Sequence, residues 1–324
     1  MGVNVSVVAI DAGNSKTDVA LIGADGTVLS TARGGGFQPP SVGIDAALDV
    51  LGAILNRALA ACGGSIGSRG HVSACLANAD LPVEEAELTE ALLDRKWAPT
   101  VEVRNDTFAI LRAGVDEPRG VAVVCGAGIN CVGMVPDGRT ARFPAIGRIS
   151  GDWGGGSGLA EEALWFAARA EDGRGEATEL ARTLPGHFGL ASMYELIEAL
   201  HRGRIPPTAR HELTPVLFAT SAAGDPVARA VVDRLADEVV AMASVALTRL
   251  DLLDEEVFVL LGGSVLTAGH PQLDERIAEL LAARAPEATI RVVAQPPVLG
   301  AGLLGLDHTG AAPAVHSRLR AQYA

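Results

Sequence analysis

A short apolar run, Val5 to Ile10, ends in Asp11-Ala12-Gly13-Asn14-Ser15-Lys16-Thr17, and that junction constrains the fold more than any other stretch. An acidic residue at the end of a buried strand, beside a loop with free backbone and a hydroxyl, suits a metal-chelated phosphate. The chain re-enters an apolar run at Val19 to Ile22, turns at Asp25-Gly26 and starts another at Thr27, which reads as strand, loop, strand, turn, strand. The device recurs: Val121 to Val124 is apolar, Cys125-Gly126-Ala127-Gly128 is a small-residue loop, Cys131 to Val135 is apolar again, and Asp137-Gly138 turns before Thr140. Two copies of one supersecondary unit predict a duplicated fold, and glycine in both loops lets backbone N–H groups approach an anion unobstructed. Taken singly, either loop also fits an ordinary hairpin turn. Neither matches Gly-x4-Gly-Lys-Ser/Thr or a Gly-x-Gly-x-x-Gly that opens a helix.

A chain of 324 residues is too long for one ordinary core and fits two domains. With 48% hydrophobic residues, 4% aromatic residues and 38 glycines, it reads as a soluble α/β protein with many tight loops. A formal net charge of −13 disfavours nucleic acid and anionic membranes as partners, because an acidic surface repels both. No basic segment precedes the first apolar run and Asp11 interrupts it, so neither a signal peptide nor a membrane anchor is expected, and the expected location is the cytoplasm. The four cysteines, Cys62, Cys75, Cys125 and Cys131, form no CxxC pair and sit in small or apolar surroundings, as reduced packing residues do.

Past the first three strands, Arg33 to Ser41 reads as a glycine and proline loop, followed by a helix from about Ile44 to Ala61 and a strand near Val72 to Leu76. Pro82 and the acidic Glu84, Glu85 and Glu87 open a helix running to about Lys96. A strand at Val101 to Val103 then leads through Asn105-Asp106 to a short helix, Thr107 to Ala113. In the second half, Ile146 to Gly158 reads as a loop with a functional role. Helices are expected at Leu159 to Ala170, Glu176 to Thr183, Ser192 to His201 and Pro226 to Leu250. Val257 to Leu261 is a buried strand ending in Gly262-Gly263-Ser264, followed by a helix from Pro271 to Ala285, a strand at Ile290 to Val293 and a terminal helix from Leu299. Strands alternating with helices after a meander predict mixed sheets flanked by helices.

These pieces resemble the actin, sugar-kinase and heat-shock ATPase superfamily. Asp11 to Thr17 is similar to its first phosphate motif, Gly126 to Asn130 to its second, and Leu261-Gly262-Gly263-Ser264 to its adenosine motif. Within it the chain most resembles the N-acetylglucosamine kinase branch, grouped with the BadF/BadG/BcrA/BcrD ATPases, through DAGNSKT, Asn105-Asp106, GAGINC from Gly126 to Cys131, and Gly151-Asp152. The resemblance implies an α/β fold of two duplicated actin-like (ribonuclease H-like) domains with an interdomain ATP cleft. The implied domains are 1–116, rejoined by a C-terminal helix at 305–324, and 117–304 with a helical insertion.

The implied activity is ATP-dependent phosphorylation of an amino sugar, N-acetylglucosamine to its 6-phosphate, with Mg²⁺. Asp106 would be the base on the acceptor hydroxyl, a task that needs one carboxylate there; as an alternative it caps the following helix. Asp11 would hold Mg²⁺ directly or through water. Gly13, Asn14, Ser15, Lys16 and Thr17, with Gly126, Ala127 and Gly128, would hold the phosphates, and Gly262, Gly263 and Ser264 the adenosine. Asn78, Asn130, Gly151 and Asp152, with Asp106, match sugar-contacting positions, although Asp152 also fits a plain turn. Animal relatives carry a tryptophan-glycine pair ahead of the Gly-Asp motif, where this chain has Ile146-Gly147 and places Trp153 after it, which implies an altered sugar pocket. The resemblance allows a homodimer. Two other readings are an ATPase that activates a redox partner through a cysteine-held cluster, which needs exposed thiolates, and a sugar or nucleotide sensor without turnover.

Overall fold

The computed structural model describes residues 3–324. Its ten strands are β1 Val3–Ala12, β2 Lys16–Ile22, β3 Val28–Gly35, β4 Gly64–Leu76, β5 Thr100–Asn105, β6 Gly120–Cys125, β7 Ile129–Met134, β8 Thr140–Arg142, β9 Val257–Gly262 and β10 Ala288–Val292. They form two five-stranded sheets, ordered β3-β2-β1-β4-β5 and β10-β9-β6-β7-β8. Read from its other edge, the second sheet is β8-β7-β6-β9-β10, the order of the first. The pairing types agree as well: β1–β2, β2–β3 and β7–β8 are antiparallel, whereas β1–β4, β4–β5 and β9–β10 are parallel. The duplication read from the two loops is thus the architecture, two mixed sheets flanked by helices. Contacts group the chain through Ala122 with Val132–Pro144 and Val293–Ala324 as one compact unit, and Val123–Cys131 with Ala145–Val292 as the other.

In the first unit, strand alternation sends Val8, Ile10 and Ala12 to one face, where they pack with Leu48, Leu51 and Leu55 of helix Ile44–Cys62 and Leu88 and Leu92 of helix Pro82–Asp94. The opposite face of the sheet carries helix Pro297–His308, in which every residue from Val298 to Leu306 is buried. Its glycines fit it into place. An added Cβ at Gly305 would overlap Val7 and one at Gly300 would overlap the backbone of Ala109, on helix Thr107–Gly114. Ser73 Oγ donates to the carbonyl of Ala301 at 2.7 Å, tying β4 to the same helix. At the far end of the helix Asp307 takes the buried guanidinium of Arg112 through two hydrogen bonds, 2.7 and 3.1 Å. Helix Pro313–Ala321 completes this side, with Arg320 donating to the carbonyl of Ala113 at 2.8 Å.

Several elements differ from the expectation. Arg33–Ser41 is not all loop, since β3 continues to Gly35 against β2 and Pro39–Val42 forms a short helix. β4 starts at Gly64 rather than near Val72, because pairing with β1 from Val3 supplies the order that its polar, glycine-rich start lacks. The segment expected as helix from Glu176 folds as Leu180–His187, and helix Leu213–Ala222 was not anticipated. The glycines after Asp152 do not all belong to a loop, because a helix spans Gly155–Glu171. No described helix is long and apolar enough to cross a membrane.

Gly300→Ala should lower stability by about 1–3 kcal/mol, the usual cost of overpacking a close contact. A urea unfolding midpoint equal to that of the wild type would show that the Ala109 backbone yields without cost.

Candidate active site

β1, β4 and β5 run parallel and end together: Ala12 pairs with Leu76 and Leu76 with Asn105. The segments that follow, from Gly13, Ala77 and Asp106, therefore emerge at one edge, the carboxyl end of the parallel strands, where open α/β sheets bind ligands. Asp11 lies one residue before the end of β1, on the face opposite Ile10 and Ala12, and only 8% of it is exposed. Burial pushes its carboxyl up to about 8, with the nearby Asp106 and Asp18 adding to the shift and Lys16 and Arg33 opposing it. Asp106 is likewise raised by burial, to about 6, against backbone N–H groups at Thr107 and at Asp106 itself.

Asp106 stands before helix Thr107–Gly114 but makes no side-chain cap. Asn105 does that work: its Oδ1 accepts from the N–H of Thr107 at 3.0 Å, and its Nδ2 donates to Asp80 Oδ1 at 2.8 Å. Asp80 is itself pushed up to about 7, by burial first and then by Asp106 and Glu84. Arg142 braces this loop, donating to Glu85 at 2.5 Å and to the carbonyl of Asp80 at 2.9 Å, while Glu85 accepts from the N–H of Asn105. Asp106 is thus held by a scaffold of neighbours while its carboxylate is kept out of the capping role.

The loop Gly13–Ser15 is pinned by its own backbone and by the chain after β3. Gly13 N–H donates to Lys16 O and Phe37 N–H to Gly13 O, each at 2.9 Å, and Gln38 Nε2 donates to Asn14 O at 2.8 Å. Asn78, at φ 62°, donates from Nδ2 to Asn14 Oδ1 at 2.9 Å and to Phe37 O at 3.1 Å. Asn14 and Asn78, read from the sequence as nucleotide and sugar residues, therefore belong to one hydrogen-bonded cluster. Ser15 and Lys16 are exposed, with Lys16 Nζ 3.9 Å from Asp18. The Thr17 hydroxyl is buried with no partner among the described residues, and its register opposite Ala12 puts it on the face away from Asp11.

In the second unit, Gly126 N–H donates to Gly128 O at 2.9 Å, which folds the small-residue loop after β6. The first turn of helix Gly155–Glu171 closes onto it through Gly156 N–H to Gly126 O at 2.7 Å and Ser157 N–H to Ala127 O at 3.0 Å. Gly155 has φ +72°, and a Cβ there would lie 2.5 Å from Ala127 O. Gly263, at φ +82°, sits so close to the Cys125 backbone that a side chain would overlap it. Gly126–Gly128 and Gly262–Ser264, far apart in sequence, thus meet at the end of β6. Thr214 Oγ1 fastens the helix start by donating to Gly156 O at 2.7 Å.

Asp152 serves its own turn, accepting from Ser150 Oγ at 2.5 Å and from the N–H of Gly147 at 3.1 Å, and Gly151 ends the 3-10 turn Gly147–Ser150 at φ +86°. Asn130 Oδ1 accepts from the N–H of Cys131 at 2.7 Å. Trp153 is buried beneath the Arg234 guanidinium, 4.1 Å from its ring centroid. Sequence reasoning missed the bracing by Asp80, Asn105, Glu85 and Arg142, and the contribution of Gly155, Gly156 and Thr214. An Asn directly ahead of the Asp at a strand end, and a GGSG opening an apolar helix, were the available signals.

The carboxyls of the buried Asp11 and the half-buried Asp106, near each other and both raised by desolvation, form a site short of positive charge. A hard divalent cation with oxygen ligands fits it. The thiols fit a cluster poorly: Cys75, Cys125 and Cys131 are buried, and burial raises all three, away from the thiolate a metal needs.

The chain is 25% identical over 269 residues to the N-acetylmuramic acid/N-acetylglucosamine kinase of Clostridium acetobutylicum, covering 83% of this chain and 88% of the relative. It is 23% identical over 316 residues to the N-acetyl-D-glucosamine kinase of Dictyostelium discoideum, covering 93% and 97%. Among solved structures, a candidate N-acetylglucosamine kinase from Chromobacterium violaceum superposes with a TM-score of 0.68 at 22% identity, over 92% of this chain and 98% of that one. A Streptomyces griseus glucokinase of the ROK family, solved with glucose and AMPPNP, gives 0.55 at 18% identity over 94% and 98%. These two share the fold with this chain. The profile of the BadF/BadG/BcrA/BcrD ATPase family matches residues 8–305, nearly the whole chain, and the protein belongs to that family.

Proposed function

We propose that this protein transfers the γ-phosphoryl group of ATP to the 6-hydroxyl of an amino sugar, with N-acetylglucosamine as the leading acceptor. The observation that carries this reading is Asp106: a half-buried carboxyl at the carboxyl edge of the parallel strands, near Asp11, relieved of helix capping by Asn105. Both curated relatives are named as N-acetylglucosamine kinases, which favours this acceptor over a plain hexose.

With its carboxyl near 6, Asp106 is mostly ionised at neutral pH yet close enough in basicity to take a proton from the acceptor hydroxyl as the phosphoryl group arrives. Asp11 would hold Mg²⁺, which neutralises charge on the transferring phosphates when bound. Gly13 to Lys16 offer phosphate contacts in the first unit, with Thr17 closing the loop behind them, its hydroxyl buried on the other face of the sheet. In the second, Gly126 to Gly128 do the same, and Gly262 to Ser264 supply a side-chain-free surface for adenosine. Asn78, on the loop beside Asp80, and Asn130, Gly151 and Asp152 in the second unit are proposed to meet the sugar; the Asp152 carboxylate would give up its Ser150 bond to do so.

A coupled ADP-release assay with N-acetylglucosamine, N-acetylmuramic acid, N-acetylmannosamine, glucosamine and glucose tests the reading. Release should be fastest with an N-acetylated acceptor, and no sugar-dependent release with any of them would end it. Asp106→Ala should cut turnover by about 10²–10⁴-fold, the usual worth of a positioned base, with circular dichroism unchanged. A stability loss with turnover retained would return Asp106 to a structural role.

Because the base must be ionised, kcat/KM should fall about tenfold per pH unit once the pH drops below about 6. A profile flat down to pH 5 would reject Asp106 as the group. Asp11 makes an opposite, stability-linked prediction. Its folded value of about 8 lies above the ordinary 3.8, so its contribution is fully present below 3.8 and is lost as pH rises through 8. Without Mg²⁺, Asp11→Asn should therefore gain stability relative to wild type between pH 4 and about 8, and added Mg²⁺ should narrow the gap. Parallel melting curves across that range would contradict the burial argument.

A further inference from the structure

On the face of the first sheet that carries helix Pro297–His308, three side chains converge away from Asp11 and Asp106. His71 and Glu102 stand on neighbouring strands β4 and β5, where His71 pairs with Thr100 and Ser73 with Glu102, so the period of two puts both on the face of Ser73, which bonds to Ala301. His308 is the last residue of the helix. Its ring stacks on His71 with centroids 3.8 Å apart, and its Nδ1 lies 3.9 Å from Glu102 Oε2. One donor atom from each of the three residues lies within 4.8 Å of the others.

Two features distinguish this cluster from simple packing. His71 is 1% exposed, and its Nε2 is buried with no hydrogen-bond partner among the described residues, a costly state for an imidazole nitrogen. Its other nitrogen is already directed, because Nδ1 lies 3.0 Å from Thr100 Oγ1, whose hydroxyl donates onward to Gly70 O at 3.4 Å. That hydroxyl has a lone pair left to accept Nδ1–H, which leaves Nε2 with its lone pair free, the arrangement by which outer-shell partners orient metal-bound histidines. Burial also holds the His71 ring well below ordinary histidine, at about 4, so it is neutral near pH 7. Glu102 divides its oxygens, Oε1 to Arg104 at 2.6 Å and Oε2 toward His308.

We propose that His71 Nε2, Glu102 Oε2 and the His308 imidazole bind one divalent transition-metal ion of the zinc class, with water in a fourth position. Two imidazoles and one carboxylate are a donor set that suits zinc rather than magnesium or calcium. Tetrahedral bonds of about 2.0–2.1 Å require the donors to draw closer than they stand here, and the His308 ring must turn out of its stack on His71, because two parallel rings cannot both aim in-plane lone pairs at one ion. His308 is the ligand able to move, since its side chain is 42% exposed while His71 is fixed. A cavity of about 260 Å³ lined by Glu102, Arg104, Asp307 and His308 adjoins it and provides an entry path and room for the water. The ion would clamp the end of the Pro297–His308 helix to β4 and β5.

The test uses full-length, tag-free protein stripped with chelator and titrated with Zn²⁺ against a chromogenic competitor, in excess Mg²⁺ to saturate the Asp11 region. One ion per chain is expected, together with a higher melting temperature on loading. His308→Ala should abolish stoichiometric uptake, Glu102→Gln should weaken it at least tenfold, and Thr100→Val should weaken it by about 10–100-fold through the lost outer-shell bond. Co²⁺ in place of Zn²⁺ should give the visible bands of a tetrahedral site, absent in His308→Ala. The proposal is overturned by no stoichiometric uptake, by uptake unchanged in His308→Ala and Glu102→Gln, or by uptake lost in Asp11→Asn instead.

Discussion

The alignment of three parallel strand ends is the constraint from which the proposed chemistry follows. Because Ala12, Leu76 and Asn105 are register partners, the chain must leave β1, β4 and β5 at the same edge. That geometry brings the buried Asp11 and the half-buried Asp106 near each other, where loss of hydration raises both carboxyls. The local network of Asn105, Asp80, Glu85 and Arg142 holds the strand ends around them in shape. The same sheet is sealed on its other side by a helix whose small residues let it lie against the strands.

The second sheet repeats the order of the first, and its small-residue loop is built with different means. Where Gly13–Ser15 is held by the chain after β3 and by Asn78, Gly126–Gly128 is held by the first turn of a helix. The contacts leave no room for side chains at Gly155 or Gly263. A duplicated fold thus reaches two glycine-containing loops by two local solutions, one relying on amide side chains and the other on backbone packing.

Much of this was legible in the residues themselves. The strand–loop–strand repeat predicted the duplication, and the strands, long helices and Asn105-Asp106 junction were recognisable from period and capping chemistry. Legibility failed where long-range pairing overrode local pattern. The glycine-rich start of β4 becomes strand only because β1 lies beside it. GGSG after Trp153 looks like loop, yet its glycines open a helix because the neighbouring loop demands close approach. The roles of Asp80, Glu85 and Arg142 were invisible because the partners come from a loop, a helix and separate strands.

The sequence by itself determined the supersecondary units, the net acidity of the chain and the place of Asp11 at a strand-to-loop junction, since each depends on composition or on neighbours within a few residues, while Asp106 was marked by its resemblance to a family motif. Only the tertiary structure decided that Asn105 reaches Asp80, that Arg142 and the Asn105 backbone meet on Glu85, and that His71, Glu102 and His308 share one face. Hydrogen-bond partnership and burial depend on which distant segments meet, and the spacing of residues along a chain carries no record of that.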